Sequence, residues 1–133
     1  EVFLSHSDLD RQFVVDLVQL MRKHGIPVWY SRANIVGAQQ WHDEIGAALN
    51  RCDWFVVVLS PRALKSVWVK RELLFALQQK RFEDRIIPVL YQPCPFEKLS
   101  WALSIYQMVD FTKSFEDGCR NLLRVWGIGL KAV

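Results

Sequence analysis

Glu72 is the residue of this 133-residue chain best placed to do chemistry. Drawn on a helix at ~3.6 residues per turn, Val69, Leu73, Ala76, Leu77 and the stem of Lys80 form one apolar stripe. Trp68 and Glu72, four positions apart, lie together on its margin. The pattern predicts a carboxylate partly withdrawn from water, with an indole beside it. Solvated helix glutamates are often supported by a basic residue three or four positions away. Here those positions hold Trp68, Val69, Phe75 and Ala76, so no intrahelical ion pair accounts for Glu72. Two readings stand: a solvated helix carboxylate, or an anion held in a dry cleft to meet developing positive charge.

Other chemistries are excluded by what the chain lacks. His6, His24 and His42 have no metal-ligand spacing. Cys52, Cys94 and Cys119 are an odd number without C-x-x-C, which argues against zinc or a disulfide framework and for a reducing compartment. No G-x-G-x-x-G follows the first strand, and no G-x-x-x-x-G-K-[ST] occurs. Gly127-Ile-Gly129 comes after a helix near the C-terminus and cannot open a βα unit. A net charge of +3 on scattered lysines and arginines makes no nucleic-acid stripe. No apolar run approaches the ~20 residues of a membrane helix, and no signal-peptide pattern is present. With 51% hydrophobic and 23% charged residues the composition is that of a soluble globular protein. Expected, then, is a cytoplasmic protein without membrane or nucleic-acid contacts. The chain starts at Glu1 and enters a strand at once, so residues 1–133 are read as one domain excised from a longer protein.

The elements that must hold Glu72 alternate along the chain. Val2–Ser5 reads as a strand, with Asp10 as N-cap of a helix through Phe13, Val14, Leu17, Val18 and Met21, ended by Gly25. Ile26–Tyr30 is a second strand, and Ser31–Gln40 a loop. Trp41, Ile45, Ala48, Leu49 and Cys52 mark a second helix. Trp54–Leu59 is an unbroken apolar run, as for a central strand covered on both faces. A third helix is expected from about Ser66 to Arg81. Ile86–Tyr91 is a fourth strand that Pro88 pushes toward a bulge or edge. A short strand around Met108–Phe111 and a helix through Phe115, Cys119, Leu122, Leu123 and Trp126 complete the chain. The pattern predicts an α/β fold: a flavodoxin-like, open, five-stranded parallel sheet with helices on both faces. Ligands on such sheets bind beyond the carboxyl ends of the strands, which singles out Ser5–Asp10, Ser31–Gln40 and Ser60–Trp68.

A phosphoacceptor receiver would carry an aspartate where Leu59-Ser60 stands, and a flavodoxin a glycine-bearing loop where Ser5-His-Ser-Asp-Leu-Asp10 stands. Seven segments in order instead resemble the Toll/interleukin-1 receptor (TIR) family, in its bacterial-type, NAD-cleaving branch. They are Val2-Phe-Leu-Ser-His-Ser7 with Asp10, His24-Gly-Ile-Pro-Val-Trp29, and Ile35-Val-Gly37 with Trp41 and Ile45. Cys52-Asp-Trp-Phe-Val-Val-Val-Leu-Ser60, Ser66-Val-Trp-Val-Lys-Arg-Glu-Leu73, Arg85-Ile-Ile-Pro-Val-Leu90 and Gln107-Met-Val-Asp-Phe111 follow. One departure is Ser31-Arg32, where the family commonly has an aspartate after the second strand.

The resemblance implies an NAD glycohydrolase, possibly a cyclase, with Glu72 catalytic, NAD as substrate and no separate cofactor or metal. Ordinary glycosidases need two carboxylates because a poor alkoxide must be protonated as it leaves. In NAD the leaving group is already a cationic pyridinium, so one fixed anion suffices. The resemblance places Ser5 and His6 at the substrate. Trp68 either stacks on a base or packs its helix, Trp41 packs the core or borders the site, and Arg32, beside Ser31, meets a diphosphate or only solvent. Ser60 caps the next turn, and Lys65, Lys70 and Arg71 make a solvated basic rim. The resemblance also implies activation when TIR domains cluster into a homo-oligomer or filament, Ile35–Gln40 docking on a neighbour, with a role in bacterial immunity. Two alternatives remain: a non-catalytic TIR scaffold, and a nucleoside deoxyribosyltransferase-like enzyme.

Overall fold

The computed structural model describes residues 1–31 and 38–131, apart from the side chains of residues 38–41. Arg32 and the Ile35–Gly37 part of the expected docking loop lie outside the described residues, as do the side chains of Ala38–Trp41. Five strands form one sheet: β1 (Val2–Ser5), β2 (Val28–Tyr30), β3 (Trp54–Leu59), β4 (Ile86–Leu90) and β5 (Val109–Asp110), in the order β2-β1-β3-β4-β5. Every neighbouring pair is parallel. Among the described residues, α1 (Arg11–Lys23), α2 (Ala38–Arg51) and α3 (Val67–Leu77) connect the first four strands, and α4 (Phe115–Arg124) follows β5.

The period-two alternation of the strands divides the core between two faces. Val2, Leu4, Val56 and Val58 pack against Val14, Leu17, Val18 and Met21 of α1 and Cys119, Leu122 and Leu123 of α4. Phe3, Phe55, Val57 and Leu59 pack the other way, against Ile45, Ala48 and Leu49 of α2 and Val69, Leu73 and Ala76 of α3. β3 is covered on both sides, and Phe55 through Leu59 are fully buried, as the unbroken apolar run requires. The expected α/β sheet with helices on both faces is what forms. Gly25 ends α1 in the left-handed region, at φ 81°, where a side chain would be strained.

Local details differ from the sequence reading. β4 is an interior strand with Pro88 opposite Val57, not an edge. The parallel ladder alternates, and Tyr91 N–H bonds Leu59 on the β3 side, so Pro88 directs its missing donor toward β5. Pairing with β5 starts only at Val89, so no ladder bond is lost there. Asp10 precedes α1 but makes no side-chain cap bond; its carboxylate is turned inward. α3 stops at Leu77 rather than near Arg81, and a separate turn at Lys80–Phe82 seats the fully buried Phe82 against Phe55. Gly118 in α4 lies so close to the Phe111 ring that a Cβ there would fall 2.4 Å from it.

Candidate active site

The site is built where β1, β2 and α3 converge. Alternation along β1 points Ser5, like Phe3, at the α3 side of the sheet. Ser66 starts α3 by accepting a hydrogen bond from Val69 N–H at 3.2 Å. That start sets the helix phase so that Val69, Leu73 and Ala76 bury and the first two turns bring Trp68 and Glu72 to the strand ends. Ser5 Oγ then donates to Glu72 Oε1 at 2.6 Å, across 67 residues of sequence.

Glu72 is 7% exposed. Burial pushes its carboxyl up to about 7; the Ser5 hydroxyl pulls it down, and the nearby charge of Asp8 raises it further. No cation forms an ion pair with it among the described residues. Such a group changes charge near neutrality and gains most from a positive partner.

A narrow cleft of about 40 Å3 opens over Glu72. Its β1 side is Leu4, His6 and Asp8, and its β2 side is Trp29 and Ser31. α3 contributes Ser66, Trp68 and Glu72. On the other side of Trp68 and Glu72 lies an apolar cavity of about 330 Å3 between α2 and α3, walled by Ile45, Leu49 and Phe75 with Arg71 at its edge. Arg71 is no free rim cation, since its guanidinium sits 5.3 Å from the Trp68 ring centre.

His6 Nδ1 donates to the Ser7 carbonyl at 2.9 Å. A carbonyl only accepts, so the proton of the neutral ring is on Nδ1 and Nε2 carries a lone pair. Burial lowers the His6 pKa, against the carbonyls of Ser7 and Ser31 and the Asp8 charge. Nε2 is buried and has no hydrogen-bond partner among the described residues.

Behind this cleft, three strand ends are tied together. Asp10, its side chain 1% exposed, accepts from Ser60 Oγ at 2.5 Å and from Arg62 Nε at 2.5 Å. Arg62 Nη2 reaches Gln92 Oε1 at 2.6 Å, and Ser60 Oγ accepts from Ala63 N–H at 3.1 Å. Strand order reverses between β1 and β3, the usual place for a ligand on such a sheet. Here the protein's own Asp10–Arg62 pair fills that place, and the cleft is displaced toward β2.

Of the residues singled out in the sequence, Glu72, Trp68, His6 and Ser31 share the cleft. Ser5 enters differently, fully buried and holding Glu72 from behind. Ser60 caps its turn as expected. Trp41 belongs to α2, but its side chain, like all of Arg32, lies outside the described residues. Asp8, Trp29 and Ser66 were missed. Ser66 is legible as a cap, and Trp29 as the partner opposite Phe3, on which it stacks at 5.0 Å. Asp8 falls in the Ser5–Asp10 loop that the strand ends single out, but nothing in its spacing marks it individually.

Comparison with known proteins is consistent with this architecture. A TIR domain family model matches residues 2–123. The chain is 22% identical over 131 residues to the 2′ cyclic ADP-D-ribose synthase BtTIR of Bacteroides thetaiotaomicron, covering 88% of this chain and 45% of that protein. It is 25% identical over 92 residues to the NAD(+) hydrolase TcpC of Escherichia coli O6:H1, covering 67% and 30%. The chain thus spans less than half the length of these curated relatives. Among solved structures, the TIR domain of the Toll-related receptor TRR-2 from Hydra magnipapillata superposes with a TM-score of 0.76 at 24% identity, over 93% of this chain and 95% of that one. The TIR domains of the activated Roq1 resistosome give 0.74 at 20% identity, over 94% and 98%. From the order of its strands to the span of the matching model, the chain belongs to the TIR domain family.

Proposed function

We propose that this TIR domain cleaves the nicotinamide–ribose bond of NAD, with Glu72 as the catalytic carboxylate. The observation that carries the reading is a single buried carboxylate, hydrogen-bonded by Ser5 and unpaired with any described cation, lining a cleft it shares with Trp68. The names of the relatives, a cyclic ADP-ribose synthase and an NAD hydrolase, support the same class of reaction.

The chemistry follows from charge. The C1′–N bond breaks with its electron pair going to the pyridinium nitrogen, so neutral nicotinamide leaves without a proton. Positive charge moves onto the ribose as an oxocarbenium-like centre. A carboxylate held in a low-dielectric cleft stabilises that charge far better than one in water. The cationic substrate in turn draws Glu72 to its ionised form. Water then attacks C1′ to give ADP-ribose and releases one proton, which a carboxyl titrating near 7 is suited to accept. Attack by the adenine or ribose of the same molecule gives a cyclic isomer instead. Trp68 and Trp29 offer faces for the nicotinamide ring, and His6 Nε2 offers an acceptor for a ribose hydroxyl. Arg32, beside Ser31, and Trp41 complete the substrate-binding set. NAD is the substrate, and no metal or further cofactor takes part.

The cleft between the described residues is too narrow for a nucleotide, which fits activation by self-association in a homo-oligomer or filament that opens and completes the site. The test incubates wild-type protein with NAD, dispersed and artificially clustered, and follows nicotinamide, ADP-ribose and cyclic products by chromatography. Nicotinamide release that rises on clustering is expected. Self-association without any nicotinamide would overturn the reading in favour of a scaffold.

A further inference from the structure

The charged groups among the described residues that line the Glu72 cleft are both carboxylates, set among the Ser31 and Ser66 hydroxyls, two indoles and an imidazole. Glu72 and Asp8 are carboxylates, and the buried Nε2 of His6 carries a lone pair without a partner. No lysine or arginine stands among the described residues that line it. The nearest cations are already engaged by groups at the cleft edge. Arg11 Nη2 bonds Asp8 Oδ1 at 3.1 Å and the Ser31 carbonyl at 3.4 Å, and Arg71 packs over the Trp68 ring. Arg11 holds the Asp8 carboxylate in place without burying it, since the Asp8 side chain stays 70% exposed. A cleft of this kind repels a diphosphate and favours a cation that carries hydrogen-bond donors.

We infer that Asp8 is a specificity-determining residue, which with Glu72 and His6 Nε2 admits the cationic nicotinamide end of an oxidised dinucleotide in preference to a neutral, reduced ring. The inference rests on the proposed reading of the site. An oxidised nicotinamide nucleoside complements these carboxylates with a positive ring, ribose hydroxyl donors and a carboxamide N–H. The reduced dinucleotide has the same donors and diphosphate but no ring charge, so comparing the two isolates the charge. The same polarity orients the substrate, nicotinamide inward and diphosphate outward. Glu72 alone would attract the cation only at close range, whereas the exposed Asp8 extends the negative field to the cleft mouth.

The experiment uses the clustered protein at about pH 8, where Glu72 is ionised in the free site. KM for NAD+ and the inhibition constant of NADH are measured for wild type, Asp8→Asn and Asp8→Glu. An exposed charge of this kind predicts that Asp8→Asn lowers the ratio of NADH inhibition constant to NAD+ KM by about two- to fivefold. Asp8→Glu should keep the wild-type ratio. Raising salt well above ~0.15 M should move the wild-type ratio toward that of Asp8→Asn and leave the variant's nearly fixed. A ratio unchanged in Asp8→Asn, with wild type turning over, overturns the assignment of Asp8 alone. Absence of turnover in the clustered wild type overturns it together with the proposed reaction.

Discussion

Replacing Glu72 with Gln is expected to stabilise the protein above neutral pH. Burial raises the Glu72 carboxyl from its ordinary 4.5 to about 7. In the unfolded chain the same group titrates near 4.5. Between these values the folded state keeps a proton that the unfolded state has released, so stability falls as pH rises through the interval. The rise corresponds to about 3 kcal/mol once pH passes the folded value. Gln keeps an acceptor for the Ser5 hydroxyl but cannot ionise, so it avoids this cost. His6 works in the opposite sense. Its pKa is lowered by burial, so its contribution is present above about 6.5 and lost as pH falls through the folded value. Comparing wild type with Glu72→Gln at each pH cancels that background. Urea unfolding should show the two proteins within about 0.5 kcal/mol near pH 4.5, with the variant ahead by about 2–3 kcal/mol at pH 8–9. For a domain of this size the gain is roughly 5–10 °C in Tm. Parallel curves at all pH values would refute the reasoning, because they would mean that Glu72 ionises as freely in the fold as in water.

Nicotinamide release should rise with pH as Glu72 ionises, with kcat/KM levelling off above about 7. Ser5→Ala, by removing the hydroxyl that favours the ionised form, should move that midpoint alkaline by about one pH unit, read from the pH–rate profile. Asp10→Ala leaves the Ser60 hydroxyl and the half-buried Arg62 without their acceptor and should cost about 3 kcal/mol in chemical denaturation. Gly118→Ala should destabilise by about 1–3 kcal/mol, because the new methyl meets the buried Phe111 ring. Gly46→Ala in α2 meets nothing within 4 Å and should be neutral or stabilise by up to about 1 kcal/mol, so the pair of thermal shifts separates steric cost from helix propensity.

What was legible in the sequence was local. β1 and β3 form over the residues read from their apolar runs, because burial on both faces keeps those runs unbroken up to the buried Ser5 in β1 and through Leu59 in β3. The Trp68–Glu72 pair was legible because helical spacing alone sets it on the edge of a buried stripe. β2 is shorter than read because Pro27 gives only its carbonyl, to Val2 N–H, before ladder register begins at Val28. The length of α3 was overread because the pattern that continues past Leu77 belongs to Phe82, which reaches the core by a turn and not by a further helical coil. Asp10 stands where a cap belongs, yet its partners Ser60 and Arg62 lie 50 and 52 residues on and outcompete the local N–H groups. The Ser5–Glu72 bond and the approach of Asp8 to the same cleft are equally non-local. No spacing rule carries contacts that the strand order creates.

The most direct measurement is the rate of nicotinamide release from NAD by clustered wild-type and Glu72→Gln protein at saturating substrate and about pH 8, with both shown to be folded and equally assembled. Loss of one carboxylate that stabilises the ribosyl cation should lower the rate by at least about a thousandfold, or some 4 kcal/mol of transition-state stabilisation. A Glu72→Gln protein that releases nicotinamide at the wild-type rate would show that the bond is broken without this side chain.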